Sequence, residues 1–545
     1  MKRKEKNFMR LIIAIIAVYI TAITATANVT KNITLKDDVN KKEVAEKNLP
    51  KTTEKKDSAK ATEQKEVQKD IDSKKAVTEK VKEDLPKTEN VKKDLPKEII
   101  NYSFANKMRV PVYNNLTEQK VIDKISKGTR VEVLATQELE TVKKTKHKKK
   151  DGTFEIQLTS IKTSWTEVRY EKDRKTKKAW IKSDSLAAKR EDVLAKNLRN
   201  LDFKEIPKKD YPNNPKRNDV KGIYVSSSSA GYPKRMKDFI QLTKESPINA
   251  FVIDVKDDSG IILFKTEAEK KYLGANRKYF PVKDIKKFVK TLKDNNIYLI
   301  ARIVSFKDPR YSKLFPAKAI TNRANGLPYT KKDGVRWVTA YDRNLWEYNI
   351  AIAKEAAAAG FDEIQFDYVR FPASNGGKLD KQLDYKNYKN ETKPQAIQEY
   401  LKYARKELEP LDVYVSADVY GQVGSSHDDM GLGQYWEGIS NVVDYISPME
   451  YPSHYGKGVY GLQNPDANPY KTVYYCTLDG INRNANIDSP SNIRPWIQAF
   501  TAPWVKGHIT YGKPELKAQI KALKDLGINE YLLWNASNKY EMARY

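Results

Sequence analysis

The chain has very little cysteine and histidine, with one Cys and four His among 545 residues. One Cys cannot form an intramolecular disulfide, and a structural zinc site needs several Cys or His ligands. A disulfide-stapled mini-protein and a zinc-finger protein are therefore excluded. His427, His454 and His508 match no HExxH-type signature, so the sequence predicts no metal site, and we expect no other cofactor.

Hydrophobic residues are also scarce, at 39% of the chain, while 31% of the residues are charged. A composition this polar indicates that part of the chain does not fold. The length allows roughly two to four domains. The formal net charge of +29 raises the question of nucleic-acid binding, and the answer depends on where the charge lies.

The N-terminus has the layout of a secretory signal. A basic stretch over residues 1–10 precedes an uncharged apolar run over residues 11–23 and the triplet Ala25, Thr26, Ala27. This pattern predicts a signal peptide over residues 1–27. The alternative is an uncleaved membrane anchor, although the run falls short of the ~20 residues that a spanning helix needs. In either case we expect a secreted or cell-envelope protein.

Residues 28–98 contain no aromatic residue and consist mostly of Lys, Glu, Asp, Thr and Val. Such a segment cannot bury enough apolar surface to offset the entropy of ordering it, so we predict a disordered spacer. Its net charge is only about +3, which makes it a nearly balanced polyampholyte and not a basic arm.

Residues 99–190 show short runs of alternating apolar and polar residues, which predict a small all-β barrel. The order of these runs, from 110–113 through 127–134 and 165–168 to 178–181, resembles the bacterial SH3 domain over about 85 residues. The resemblance implies binding of peptidoglycan or another wall polymer; a purely spacing role is the alternative. The basic insertion 143–150 departs from the pattern and is predicted to be a long exposed hairpin loop.

This module carries a net charge of about +11, which favours an anionic wall polymer or a phospholipid surface as its partner. Elements that stack on bases or read a groove are not recognisable in the sequence, so we expect no nucleic-acid partner.

After a linker over residues 191–219, residues 220–545 contain eight buried-strand patterns. They cover residues 222–227, 250–257, 297–306, 363–371, 413–421, 443–451, 494–501 and 530–535. Amphipathic segments such as 282–295, 345–360, 395–408 and 514–526 separate them. Eight alternations of strand and helix in about 320 residues predict an α/β fold, a (β/α)8 TIM barrel. An open doubly wound sheet is the alternative, but the first strand is not followed by a glycine-rich phosphate loop.

In such a barrel the chemistry lies at the C-terminal ends of the strands. The polar and aromatic residues at these ends are Asp254, Lys256, Asp257, Arg302, Asp367, Arg370, Asp418, Tyr420, Glu450, Tyr451, His454, Gln498, Trp504 and Trp534. Asp367 interrupts an apolar strand, where it needs a partner such as Arg370. Asp418 and Glu450 end the next two strands, and either one could be its catalytic counterpart. Two carboxyl groups ringed by aromatic side chains are what glycoside hydrolysis requires.

Five motifs support this interpretation: residues 222–225, 251–258, 301–304, 366–372 and 447–455. They resemble a bacterial family of unknown function described as glycosyl hydrolases and similar to α-amylase and α-galactosidase barrels. The resemblance implies that Asp367 is the nucleophile and that Asp418 or Glu450 is the acid/base. We predict a retaining mechanism with Glu450 in that role, which needs carboxyl groups ~5 to 5.5 Å apart. The alternative is a catalytically silent carbohydrate-binding or cell-wall-binding protein that uses the same cleft.

Overall fold

The computed structural model describes residues 100–275, 277–330, 334, 336–374 and 377–543. The predicted signal segment and spacer therefore lie outside the described residues. The described ranges belong to one compact unit, Pro96–Tyr545. Within these ranges, no helix is both long enough and apolar enough to cross a bilayer.

The N-terminal part is a seven-stranded antiparallel sheet. Its strands are Tyr102–Ala105, Val110–Tyr113, Val121–Ile125, Arg130–Lys148, Phe154–Lys172, Lys175–Lys182 and Leu186–Ala187. Inward-facing residues of the alternating runs, among them Val110, Val112, Val168 and Ile181, form its small core. The all-β prediction is confirmed, while the resemblance to SH3 domains stays a prediction.

The predicted loop over residues 143–150 is wrong in one respect. Residues up to Lys148 belong to a strand that pairs in register with Phe154–Lys172, and only residues 149–153 make the turn. Gly152 supplies the positive φ of 87° that this turn requires. Lys144, Lys146 and Lys148 lie across from Leu158, Ile156 and Phe154. This pattern suits a two-stranded ribbon and outweighs the bias of a basic run toward a loop.

The predicted linker packs on the barrel. Leu194, Leu198 and Leu201 form an apolar cluster with Tyr435. The sheet also contacts the barrel directly, since the backbone N–H of Arg130 donates to Asn486 at 3.0 Å.

Eight parallel strands close into a barrel, as predicted. They are Lys221–Val225, Ala250–Lys256, Tyr298–Val304, Glu363–Asp367, Tyr414–Tyr420, Tyr445–Glu450, Trp496–Gln498 and Tyr531–Trp534. Each strand pairs with its neighbours in the chain, and the eighth pairs with the first. A short strand, Asn492–Ile493, extends the pairing of the sixth, and Thr321–Asn322 pairs with Leu383–Asp384 outside the barrel.

Helices surround the strands and include the four that the sequence predicts. The α-helices of the barrel domain are Ser227–Ala230, Pro233–Glu245, Glu267–Leu273, Ile285–Lys293, Pro309–Leu314, Arg343–Ala359, Lys378–Gln382, Lys393–Leu408, Trp436–Ser440, Pro469–Asn484 and Lys513–Asp525; one short helix, Arg190–Val193, precedes them. The main apolar core lies between the strands and these helices.

Alternate strand residues point into the barrel, and at both of its ends these inward positions include charged side chains. At the N-terminal end, Arg494 is fully buried and donates to Glu363 at 2.7 Å and to Glu530 at 3.4 Å. Its guanidinium also lies 3.6 Å from the centre of the Tyr445 ring. A buried charge of this kind is tolerated only when it is paired.

We expect Arg494→Met to lower the free energy of unfolding by about 3 to 5 kcal/mol, because Glu363 would remain as a buried, unpaired charge. Urea denaturation followed by circular dichroism measures this. Lys290→Met is the matched control, since Lys290 is exposed and pairs with Asp294 at 2.7 Å on a helix surface. Equal unfolding midpoints for the two variants would show that the buried pair does not stabilise the barrel.

Candidate active site

A cavity of about 280 Å³ opens at the C-terminal ends of the barrel strands. Residues from strands three to eight and from the loops after them line it. They are Arg302, Asp367, Tyr368, Arg370, Asp418, Tyr420, Gly421, Gln422, Met449, Tyr451, His454, Tyr455, Trp496 and Trp534. The position agrees with the general placement of active sites in TIM barrels.

Asp367 ends the fourth strand, and three donors point at its carboxylate. Arg302 donates to Oδ2 through Nε at 3.0 Å and through Nη2 at 2.5 Å, while the backbone N–H of Tyr368 donates to Oδ1 at 2.5 Å. Tyr368 has a φ of +48°, so the chain turns sharply directly after the carboxylate. For this reason the strand ends at Asp367 instead of continuing to residue 371 as predicted, and the strained turn aims one more donor at the site.

Arg302 serves two carboxylates. Its Nη1 donates to Asp254 at 2.5 Å, and the Tyr224 hydroxyl donates to the other oxygen of Asp254 at 2.6 Å. Burial alone would lower the pKa of Arg302, but the charges of Asp254 and Asp367 outweigh it and raise that pKa well above its usual range. Burial raises the pKa of Asp254 to about 6. Arg302 therefore stays charged while it holds Asp367.

Asp418 points into the same cavity from the fifth strand. It is 2% exposed, and the indole N–H of Trp496 donates to its Oδ1 at 2.8 Å. Burial, followed by the negative charge of Asp367, raises the pKa of Asp418 well above its ordinary value. The two carboxyl groups therefore have different surroundings: Arg302 contacts Asp367, whereas Asp418 is buried next to a negative charge that disfavours its charged form.

Asp367 and Asp418 are neighbours across two paired strands. Phe366 is in register with Ala417, and the two aspartates are the next residues along each strand. Adjacent strands lie about 4.7 to 4.9 Å apart, which brings the two side chains to the same side of the cavity.

Glu450 does not reach the cavity. Met449 faces the cavity, and the side chain of the next residue points to the helix side, where the Thr477 hydroxyl donates to Glu450 Oε2 at 2.6 Å. Oε1 is buried without a hydrogen-bond partner, and burial raises the pKa of Glu450 to about 8. The structure therefore brings Asp367 together with Asp418 and separates both from Glu450. Counting the alternation along the sixth strand would have placed Glu450 on the outer face.

Arg370 was predicted as a partner of Asp367, but it lies elsewhere on the cavity wall. Its guanidinium is 5.0 Å from the centre of the Trp337 ring and 5.2 Å from that of Tyr368, and it donates to the carbonyl of Phe371. The turn at Tyr368 carries it away from the carboxylate, so Arg302 takes the pairing role.

The other predicted residues divide between the cavity wall and its surroundings. Tyr420, Tyr451, His454 and Trp534 line the cavity. Tyr451 and Trp534 are stacked with ring centres 6.5 Å apart. Burial lowers the pKa of His454.

Five predicted binding residues lie behind or beside the cavity. Asp254 supports Arg302, and Lys256 turns to the helix side, where it pairs with Asp308 at 2.7 Å. Asp257 accepts from backbone N–H groups of its own loop, and Gln498 donates to Asp466 at 3.2 Å. Trp504 is 63% exposed and stacks on Phe500.

Two contacts of the site were not predicted from the sequence. Trp496 donates to Asp418, and Tyr224 donates to Asp254. Both occupy inward positions of barrel strands, so strand alternation carried the signal. Among the described residues, no group of three His, Cys, Asp or Glu side chains is placed to hold a metal ion.

Comparison with known proteins identifies a family for the barrel domain. A family model described as "putative glycosyl hydrolase domain" matches residues 222–540. No curated protein matches the chain significantly.

Three solved structures that are similar to this chain have the following identities and coverages. A hypothetical protein from Ruminiclostridium thermocellum is 35% identical, with 36% of this chain and 97% of that chain covered and a TM-score of 0.32. The PgaB (BpsB) glycoside hydrolase domain from Bordetella bronchiseptica is 14% identical, with 58% of this chain and 94% of that chain covered and a TM-score of 0.41. An α-galactosidase from Thermus thermophilus is 12% identical, with 69% of this chain and 74% of that chain covered and a TM-score of 0.38.

The position of Glu450 generates a prediction about stability and pH. In the unfolded chain its pKa is near 4.5, and in the fold it is about 8. The folded protein therefore retains a proton that the unfolded chain loses, so this group lowers stability progressively as pH rises from about 4.5 to about 8. Glu450→Gln removes this titration. The free energy of unfolding of the variant minus that of wild type should therefore rise by up to about 1.4 kcal/mol per pH unit in this window.

Urea denaturation of both proteins at pH 5, 6, 7 and 8 measures this difference. Glu399→Gln, on an exposed helix surface, is the control and should show no comparable trend. A constant difference between Glu450→Gln and wild type across the window would contradict the prediction.

Proposed function

The chain belongs to the family described as "putative glycosyl hydrolase domain", and from this premise we propose that it hydrolyses glycosidic bonds of a polysaccharide in the barrel cavity. The observation that carries the proposal is the pair formed by Asp367 and Asp418. Asp367 is held by a cation, while burial and its charged neighbour raise the pKa of Asp418, which favours the protonated form of that group. Glycoside hydrolysis needs two carboxyl groups in these two states.

In this mechanism Asp367 attacks the anomeric carbon while Asp418 donates its proton to the departing glycosidic oxygen. The negatively charged Asp418 then takes a proton from water, which hydrolyses the glycosyl-enzyme bond and restores the starting state. Asp418 replaces Glu450 in the acid/base role because it shares the cavity with Asp367.

The strand spacing supports retention of configuration. Retaining enzymes hold their carboxyl groups about 5 to 5.5 Å apart, whereas inverting enzymes leave about 6.5 to 9.5 Å for a water molecule. Side chains on adjacent strands start from a separation of about 4.7 to 4.9 Å, which fits the shorter distance.

The aromatic wall supports a sugar substrate. Trp534 packs on Tyr224 with ring centres 4.3 Å apart, and Tyr451 stacks beyond it. Rings that line a cavity offer flat apolar faces to the C–H groups of a pyranose, while Arg370 and His454 offer hydrogen bonds at its rim.

The N-terminal features extend the proposal to location and partners. The signal-like N-terminus supports a secreted or envelope-associated protein, with a membrane anchor if the signal is not cleaved. The basic antiparallel sheet, with its resemblance to bacterial SH3 domains, would then hold the hydrolase close to an anionic envelope and its polysaccharide.

A catalytically silent carbohydrate-binding protein is the second candidate. It is favoured by the ion pair itself, because Arg302 donates twice to Asp367 Oδ2 and so occupies the oxygen with contacts that a purely structural pair would also make.

Substitution of each aspartate should separate the two catalytic roles. We expect Asp367→Asn to abolish hydrolysis of all substrates. Asp418→Asn should lose about 10² to 10⁴-fold on natural glycans but much less on aryl glycosides with acidic leaving groups, since these need no proton. Wild-type kcat/KM should also fall as pH rises through the raised pKa of Asp418.

Steady-state rates with a panel of aryl glycosides and glycans measure these effects. Asp525→Asn, on the outer surface, is the control for the substitution itself. Full activity in Asp367→Asn would remove this residue from the mechanism, and equal losses on both substrate types in Asp418→Asn would argue against its role as the acid.

Turnover separates the hydrolase from the silent binder. A panel of bacterial and wall polysaccharides, incubated with wild type and with Asp367→Asn, should yield new reducing ends only with wild type. NMR of the first-formed product should show retained anomeric configuration. Binding of a glycan by both proteins without reducing ends from either one would support the silent binder.

A further inference from the structure

The longest strand pair of the N-terminal sheet extends beyond its neighbours. Arg130–Lys148 and Phe154–Lys172 pair along their whole length, but the flanking strands accompany only their inner ends. We call the outer part, residues 137–148 and 154–164, the hairpin arm. At about 3.4 Å per residue, its ten steps reach roughly 34 Å from the sheet.

The hairpin arm has two different faces. Directly opposed residues share a face, and successive pairs alternate between faces. One face carries three consecutive cross-strand pairs, followed by Val142: Lys148 with Phe154, Lys146 with Ile156, and Lys144 with Leu158. The other face carries His147 with Glu155, Thr145 with Gln157, and Lys143 with Thr159. The first we call the apolar-basic face; the second is polar over these three pairs, and Ile161 and Leu139 lie on it closer to the sheet.

The apolar side chains of the apolar-basic face are open to solvent. Phe154 is 63% exposed, Ile156 56%, Leu158 61% and Val142 62%. Large apolar side chains grouped on one exposed face indicate an interaction site. An isolated two-stranded hairpin is at best marginally stable in water, so a partner that covers this face would also stabilise the arm.

The charge of the arm indicates what that partner is. Six lysines lie within residues 143–150. In the described part of the chain only one of them, Lys149, makes an ion pair, with Glu155 at 3.5 Å. Lysine stems can lie along apolar side chains and raise their ammonium groups to a layer of phosphates. An anionic polymer would use the charge alone, whereas a lipid surface uses both the charge and the four apolar side chains.

We propose that the apolar-basic face of the hairpin arm inserts into the interface of an anionic phospholipid bilayer. The arm would dock the barrel on a membrane surface independently of the N-terminal apolar run. This inference does not depend on the hydrolase proposal, because none of its residues line the barrel cavity.

The test uses the full chain with an environment-sensitive fluorophore on an introduced cysteine. The native Cys476 is buried, so the introduced thiol takes the label. Leu158→Cys probes the apolar-basic face, and Thr159→Cys, its neighbour on the polar face, is the matched control. With vesicles of phosphatidylglycerol and phosphatidylcholine, the label at 158 should shift to shorter wavelength and be quenched by spin-labelled acyl chains, while the label at 159 should not. Each probe reports its own position, so lipid binding by residues 11–23 does not produce this difference.

Charge removal tests the second half of the proposal. In the Leu158→Cys background, Lys144→Gln, Lys146→Gln and Lys148→Gln together should raise the lipid concentration needed for half of the shift on the order of 100-fold. Unchanged far-ultraviolet circular dichroism would show that the fold is intact.

Four results would overturn the proposal: equal responses at 158 and 159, an equal response to vesicles of phosphatidylcholine alone, a response to soluble poly(glycerol phosphate) as strong as that to vesicles, or a lipid-free shift that grows with protein concentration. The third would identify a wall polymer as the partner, and the fourth a second copy of this chain.

Discussion

The guanidinium of Arg302, shared between two buried carboxylates, is the interaction on which the site depends. Asp254 and Asp367 are 2% and 5% exposed, and a buried carboxylate without a cation is costly. Arg302 donates to both and makes no hydrogen bond with Asp418, whose pKa is raised by burial and by the nearby negative charge of Asp367. One cation thus pairs with two of the three carboxyl groups, and the third is left in surroundings that disfavour its charged form.

The barrel uses the same kind of interaction at its two ends for different purposes. At the N-terminal end, Arg494 and Glu363 are sealed between strands, and their ion pair contributes to stability alone. At the C-terminal end, Asp367 and Asp418 face an open cavity, where a substrate can reach them. This division follows the general separation of stability and chemistry in TIM barrels. It also explains why burial of charge by itself does not identify an active site.

The antiparallel sheet shows how the basic residues of the N-terminal module are arranged in space. Six of its lysines lie within residues 143–150, on a two-stranded ribbon that pairs lysine with exposed apolar side chains. A basic insertion in a sequence suggests a flexible loop attracted to any polyanion. Paired strands instead sort the same residues into one face with lysine and apolar side chains and one polar face, which is the arrangement that the proposed lipid contact uses.

The sequence by itself determined the eight strands, the surrounding helices and the presence of acids at strand ends, because each of these follows from local periodicity and length. It also contained the alternation that turns Glu450 outward, since a shift of one residue along a strand reverses the face. Only the tertiary structure decided which charges meet. Arg302 and Asp367 are 65 positions apart, and Arg370, three positions from Asp367, does not contact it. Arg302 is the partner of Asp367 because their strands pair side by side and because the sharp turn at Tyr368 directs Arg370 away. Strand pairing brings together residues that are far apart in the chain, and no periodic pattern in the sequence marks such a pair.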